Sequence, residues 1–315
     1  MKIAIHYFSG CGNTAWVANK ARDCLQQAGH EIVLMQNAEL AFPTQIPFSD
    51  VDLFICPVYF GGLPSNVVSY YKRLPLVANR KALFWAVCGA KSGISGWIAK
   101  SLLSERGYEL IAQESIQMPD TFLFLKMSQM TPEERRNVLL KAKGKISENV
   151  LALSDLPPLK KTNPVAVIFG GFFYFLYYVV IRHSLGLMMT ANSNCIHCGF
   201  CAQNCPVQAI QMKNETPVWK TGCTNCFRCL NLCPVKAIDF SKYALFSGLI
   251  GALLMAILCG LVLPFGFISV LFGLFFGYFV GCFIFQKTKK LFPVDKGLIL
   301  DKKQRIKITD EEKNL

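Results

Sequence analysis

Eight of the fourteen cysteines fall in two short runs, "CIHCGFCAQNCPVQAI" and "CTNCFRCLNLCPVKAI", offset by 28 residues. Each reads C-x2-C-x2-C-x3-C-P, so the two form an internal repeat. Thiolates at this density are soft ligands, suited to iron–sulfur clusters or to zinc. Three of them on one tight turn can cap three irons of a cube, and the fourth must come from elsewhere. Zinc sites usually pair C-x2-C units around one ion, so the duplicated array favours two [4Fe–4S] clusters. The proline after each fourth cysteine breaks the local helix and limits water near the sulfurs. His197, inside the first ligand turn, is expected as an exposed spacer, and Trp219 is expected to pack between the repeats.

The repeat resembles that of bacterial ferredoxins, in which the fourth cysteine of each run serves the other cluster. This resemblance assigns Cys195, Cys198, Cys201 and Cys233 to cluster one. Cys223, Cys226, Cys229 and Cys205 go to cluster two.

A second candidate site lies near the start of the chain, in "SGCGNTA". Gly10, Gly12 and Ala15 fit a dinucleotide fingerprint, but that fingerprint needs an acid near the end of the second strand, and "IVLMQ" supplies none. A monophosphate cradle fits better. Ser9, Asn13 and Thr14 bring side-chain donors, the glycines let backbone N–H groups approach, and a helix start adds its positive end. An ordinary strand–helix turn is the alternative without chemistry.

The elements needed to position this loop can be read around it. Residues 2–7 alternate as a strand, and 15–28 have helical spacing that ends at Gly29. Apolar runs at 51–56, 82–87 and 109–117 are separated by helix-like stretches, and "TPEE" from Thr131 is a capping box with proline at the first helical position. Strands alternating with helices over residues 1–153 predict an α/β doubly wound parallel sheet, with ligands at the carboxyl ends of its strands.

This part of the chain resembles flavodoxin. "YFSGCGNTA" is similar to the flavodoxin phosphate loop, which assigns Ser9, Gly10, Cys11, Gly12, Asn13 and Thr14, with Cys11 where that loop usually has threonine. "PVYFGGLP" is similar to the loop whose aromatic packs on the flavin, which assigns Pro57, Val58, Tyr59, Phe60 and Gly61, with Tyr59 as the stacking ring. "VCGAKSG" occupies the place of the third flavin loop, through Cys88, Gly89, Ala90 and Gly93, without its usual aromatic. The resemblance implies FMN. Cys11, Cys56 and Cys88 fall near strand ends and are expected to be small buried hydrophobes.

Residues 243–285 form an almost uncharged run of 43, right for two spans of about 20 each and broken at "LPFG". Ala244, Gly248, Ala252, Ala256 and Gly260, then Gly273, Gly277 and Gly281, set small residues at helical spacing, serving either a hairpin or a homo-oligomer. Lys236 and Lys242 before the run, and Lys287, Lys289 and Lys290 after it, place both ends in the cytoplasm. Cys259 and Cys282 are lipid-compatible filler. Residues 165–181 are also apolar but shorter, and are expected as an interfacial helix, with a third span as the alternative.

The chain is 315 residues long, 52% hydrophobic, with a net charge of +13. Nothing in it resembles a nucleic-acid-binding motif, so the basic excess points to an anionic membrane surface. Clustered ligand-like cysteines and the lack of a signal peptide ahead of the first strand argue for a reducing compartment. The expected order is a flavodoxin-like FMN domain (1–153), a linker with the apolar helix (154–190), a small α+β 2[4Fe–4S] ferredoxin-like domain (191–242), a transmembrane helical hairpin (243–286) and a basic cytoplasmic tail (287–315). The order of the first parts resembles the flavodoxin–ferredoxin fusion proteins often labelled ferrodoxins, with the hairpin as an addition. That resemblance implies FMN, two [4Fe–4S] clusters and electron transfer; the expected redox partner, a quinone or a membrane-associated protein, follows from the membrane location alone. A non-enzymatic carrier or docking subunit without FMN is the rival.

Overall fold

The structure is a computed structural model of the chain and describes residues 1–39, 45–121, 130–153, 163–262 and 267–288. The expected break at 263–266, the linker stretch 154–162 and nearly all of the basic tail lie outside the described residues. The described chain forms two compact units, the first running to Tyr174 and the second starting at Phe175.

In the first unit, β1 (Lys2–Tyr7), β2 (Glu31–Asn37), β3 (Val51–Pro57), β4 (Arg80–Cys88) and β5 (Tyr108–Gln117) make one parallel sheet in the order β2-β1-β3-β4-β5. This is the doubly wound order in which β1 and β3 flank the topological switch point. Every residue of β3 is buried, as a central strand covered on both faces should be. On one face, Trp16, Val17, Ala21 and Leu25 of α1 (Asn13–Gln27) share a core with Leu139, Ala142, Ile146 and Val150 of α4 (Pro132–Leu151). The capping box at the start of α4 is formed: Glu134 N–H donates to Thr131 Oγ1, and Thr131 N–H donates to Glu134 Oε2. The helices α2 (Ser65–Lys72) and α3 (Ser95–Ser104) complete the α/β layers. A buried polar group lies among the strands: Asp52 accepts from Ser49 Oγ and stands 3.4 Å from His6 Nε2 and 3.7 Å from Arg80.

The apolar segment after the linker is longer than its hydropathy suggests. Helix α5 (Pro164–Leu176) continues through a π-helical stretch (Tyr177–Ile181) into α6 (Arg182–Leu187). The helix therefore runs through Arg182 and His183, where the hydropathy ends. Arg182 donates back to Tyr178 O and lies over the Tyr178 ring, so its charge is accommodated without ending the helix.

In the second unit, β6 (Met189–Ala191) pairs with β9 (Ile238–Phe240), and β7 (Ile210–Lys213) forms a hairpin with β8 (Thr216–Trp219). Two short helices, α7 (Phe200–Gln203) and α8 (Arg228–Asn231), follow the ligand turns. The duplication seen in the residues is repeated in the backbone. Positive φ recurs at His197 and Asn225, at Gly199 and Phe227, and at Gln208 and Lys236, each pair offset by the repeat length.

Helices α9 (Lys242–Val262) and α10 (Phe267–Thr288) pack tightly along the small-residue stripe. A Cβ on Gly273 would come within 2.7 Å of Ala256 Cα, and one on Gly281 within 2.9 Å of Gly248 Cα. Ser247 Oγ donates to Gly281 O at 2.7 Å. The stripe is thus used inside the hairpin, and Gly251, which joins it against Gly277 and Gly281, lies off the simple every-fourth spacing. Leu249, Ile250, Leu253, Leu254, Ile257 and Leu261 are exposed. Among the described residues, two helices, Pro164–Leu187 and Lys242–Leu261, are long and apolar enough to cross a membrane, and Phe272–Thr288 is a shorter apolar one.

Candidate functional site

The loop after β1 turns sharply into α1. Gly12 is the N-cap, with φ 110°, a conformation that an L side chain resists, and its N–H donates to Ser9 Oγ at 3.1 Å. No side chain caps the helix start, where an anion's oxygens would serve the leading N–H groups. Ser9, Cys11 and Thr14 are buried. Asn13 Nδ2 donates to Pro119 O at 2.6 Å, tying the loop to the segment after β5.

The loop after β3 is a two-residue turn. Tyr59 and Gly62 exchange backbone hydrogen bonds, and both central residues, Phe60 and Gly61, have positive φ, as this tight hairpin turn requires. Phe60 carries the turn's exposed ring, while Tyr59 is half-buried. An aromatic side chain held at φ 50° is strained, and such strain concentrates at binding sites. The third loop locks onto this turn: Ile94 N–H donates to Gly61 O at 2.8 Å, and Val58 N–H donates to Val87 O at 2.9 Å. At Gly93, with φ 57°, a Cβ would come within 2.5 Å of Gly61 Cα. Gly89 lies beside Asp120. The three loops therefore gather at the carboxyl ends of β1, β3 and β4, next to the switch point.

Two contributors to this site come from far along the chain. Tyr174 of α5 donates its O–H to Leu63 O at 2.6 Å, and its ring occupies the space a side chain at Gly62 would need. One turn earlier, Gly170 faces Ile94 so closely that a Cβ would meet Ile94 Cγ2 at 2.7 Å. The doubled glycines in "FGGL" (60–63) and "FGGF" (169–172) are the sequence signals that could have suggested such close approach.

The cysteines Cys11, Cys56 and Cys88 are buried, and burial pushes the Cys56 and Cys88 thiols above their ordinary range. That is opposite to what a reactive thiol needs.

In the second unit, Cys195, Cys198, Cys201 and Cys233 line one apolar cavity, together with Ile196, Phe200, Met212, Pro217, Val235 and Ile238. Cys233, from the second repeat, thus faces the first three ligands of the first. On the other side, Cys205 of the first repeat lies close enough to Cys223 and Cys229 to interact electrostatically with both. Burial pushes the Cys201 and Cys223 thiols up to about 11. Iron coordination would deprotonate them, so loading of this site releases protons. Backbone donors are in place at each crossing cysteine. Ala209 N–H donates to Cys205 Sγ, and Ala237 N–H donates to Cys233 Sγ, both at 3.2 Å. Asn225 adds N–H donation to Cys223 Sγ at 3.4 Å, with its side-chain amide 3.6 Å from the same sulfur. Such bonds to sulfur are one of the levers that set cluster potentials. His197 is exposed, its Nδ1 2.8 Å from Glu215 O, and Trp219 is buried in β8 against Ile210. A soft, all-thiolate donor set around an apolar cavity fits [4Fe–4S] chemistry.

Residues 189–240 match the 4Fe-4S dicluster domain family. No curated protein matches the chain. Among solved structures, the chain is similar to the oxidised Flavodoxin 2 of Bacillus cereus, at 21% identity over 49% of this chain and 99% of that one, with a TM-score of 0.36. It is also similar to the two-electron reduced Megasphaera elsdenii flavodoxin, at 25% identity over 46% of this chain and 99% of that one, with a TM-score of 0.33.

Proposed function

We propose that the chain, which joins a flavodoxin-like sheet to a ferredoxin-type iron–sulfur domain, is a membrane-anchored iron–sulfur flavoprotein. It binds FMN at the loops around Gly12, Phe60 and Gly93 and two [4Fe–4S] clusters at the eight cysteines, and it serves electron transfer to or from a membrane-associated partner, a quinone or a protein. The observation that carries this reading is the apolar cavity in which Cys233, from the second repeat, lies with Cys195, Cys198 and Cys201 of the first.

The bound cofactors supply the electron chemistry, with the flavin converting between two-electron and one-electron steps. The protein's residues do the rest. The leading N–H groups of α1 hold the phosphate, and the Tyr59–Gly62 turn and the Gly93 loop position the ring. Backbone donors at Cys205, Cys223 and Cys233 bias the clusters. The hairpin of α9 and α10 holds the chain at the membrane, and Lys236, Lys242 and Lys287 favour the cytoplasmic side for its redox units. Confinement to a surface raises the effective concentration of any partner held there. Docking of α5 through Gly170 and Tyr174 supports an interfacial helix over a third span, because both residues are engaged with protein.

One observation favours the rival, a docking subunit without flavin: the Asn13 amide is committed to Pro119 O and does not extend from the phosphate loop. Anaerobic purification from membranes separates the two readings. The flavoprotein reading requires FMN on acid release, with non-haem iron and acid-labile sulfide in the amounts two clusters demand. Iron and sulfide without flavin would select the docking subunit, and absence of all three would overturn both.

A further inference from the structure

The two cysteine repeats match in backbone, but their surroundings differ. Around the second ligand set the apolar helices close in. Gly186 of α6 sits so near Cys223 that a Cβ would meet Cys223 Cβ at 2.6 Å. Asn225 Nδ2 donates to Arg182 O at 3.1 Å, and the His183 ring is hydrogen-bonded through Nδ1 to Thr221 O. Met189 Sδ lies 3.7 Å from Cys229 Sγ. The segment that makes these contacts is pinned from behind by the hairpin. Gln286 of α10 donates to Leu187 O and Met189 O, and Tyr278 O–H donates to Met188 Sδ at 3.1 Å. Ser241, where α9 begins, donates its N–H to Met188 O at 2.8 Å. One layer of residues, 186–189, thus separates the second ligand set from the head of the hairpin.

Among the described residues, the first set has no such cover. Cys198 is exposed, Ile196 beside it is 59% exposed, and His197 turns to Glu215 O on the β7–β8 turn. Cys223 and Cys226, the equivalents of Cys195 and Cys198, are both buried.

Resting on the two-cluster, membrane-anchored reading above, we propose that this unit is polar. The ligand set of Cys205, Cys223, Cys226 and Cys229 is its lipid-facing terminus, and the set around Cys198 is its water-facing terminus. A redox partner dissolved in the lipid phase then meets the chain at the former, with residues 186–189 and Asn225 as the positioning elements.

The test uses the full chain, purified anaerobically, reduced and reconstituted in phosphatidylcholine vesicles. Microwave-power saturation of the cluster EPR signals is compared with a dysprosium chelate free in water and with the same chelate attached to lipid headgroups. The free chelate should relax one signal and the lipid-attached chelate the other. Cys198→Ser should alter the water-sensitive signal and Cys205→Ser the lipid-sensitive one, and either variant alone assigns both. Equal relaxation of the two signals by the free chelate, or the reverse assignment, overturns the proposal. An alkaline carbonate wash keeps the two levels apart. A chain that washes off the vesicles, or that carries no cluster signal, brings down the anchoring or cluster reading together with this inference. A chain that stays bound with uniform relaxation brings down this inference alone.

Discussion

Replacing Gly93 by alanine tests whether the turn after β3 and the loop after β4 act as one flavin clamp. Two costs can be worked from the structure. The residue sits at φ 57°, where an L side chain costs about 1–2 kcal/mol. Its new Cβ would also lie 2.5 Å from Gly61 Cα and against the Gly61 carbonyl. These are backbone atoms and cannot rotate aside, so the loops must part. Parting them breaks the Ile94 N–H bond to Gly61 O, worth about 1 kcal/mol. The total is about 2–3 kcal/mol, and it can surface in either of two places. If the flavin-free variant relaxes by opening the loops, rebinding must close them, and the FMN Kd rises by about 30-fold to about 150-fold. If the loops cannot open, the same cost lowers the stability of the first unit. Flavin fluorescence titration and thermal unfolding together capture both. Gly144→Ala is the control: it lies in α4 with nothing within 4 Å of its added Cβ, and it should stabilise by about 0.5–1 kcal/mol with Kd unchanged. A folded Gly93→Ala protein with both Kd and unfolding midpoint at wild-type values would refute the clamp.

Other outcomes follow from the same geometry. Cys205→Ser, although it lies in the first repeat, should deplete the cluster held by Cys223, Cys226 and Cys229, read as loss of iron and of one EPR signal. Two intact clusters in that variant would break the crossed assignment. Asp52→Ala should destabilise by about 3–5 kcal/mol, because it leaves Arg80 without its buried counter-charge and Ser49 without its acceptor, while Asp52→Asn, which retains an acceptor for Ser49, should cost less; urea denaturation ranks the three proteins. Burial raises the phenols of Tyr70, Tyr71 and Tyr108 above their unfolded value of 10.0. Above that pH the folded state holds more protons than the unfolded one. Their contribution is therefore complete below pH 10 and is lost as pH rises further. In an alkaline titration the phenolate absorbance should show a delayed phase that coincides with unfolding, and a single early phase would show these rings to be accessible.

The legible parts of this molecule were those fixed by short-range spacing. The cysteine repeat needs only a few consecutive residues to define a ligand turn, and its recurrence at His197/Asn225 and Gln208/Lys236 shows that the same local conformation is imposed twice. The Thr131–Glu134 capping box and the alternation of strands with helices are local for the same reason. What could not be read was set by partners distant in sequence. Tyr174 and Leu63 are 111 residues apart, and no periodicity in "VAVIFGGFFYFLYYVVI" distinguishes the ring that donates to a loop from those that remain exposed. Asn13 looked like a phosphate donor because of its position, yet Pro119 O lies within its reach only once β5 stands beside β4. The helix end was misjudged at Ile181 because hydropathy counts Arg182 as a charge. The fold lets it return to Tyr178.

The small-residue stripe shows how a choice left open by residue types is settled by packing. Glycine at helical spacing permits close approach of any second helix, from the same chain or from another. Here α9 and α10 bring Gly248, Gly251, Gly273, Gly277 and Gly281 to near-backbone contact, and the Ser247 hydroxyl is spent on Gly281 O in the same seam. Cys282 is fully buried against Ala244 O, which makes its thiol part of that seam. With the small face consumed, the side chains left outward are long and branched, Leu253, Leu254, Ile257 and Leu261 among them. Among the described residues this outward face is a strongly apolar one. The hairpin is therefore built to hold its own two helices together first, and this rigidity is what lets Tyr278 and Gln286 reach the 186–189 layer from a fixed position.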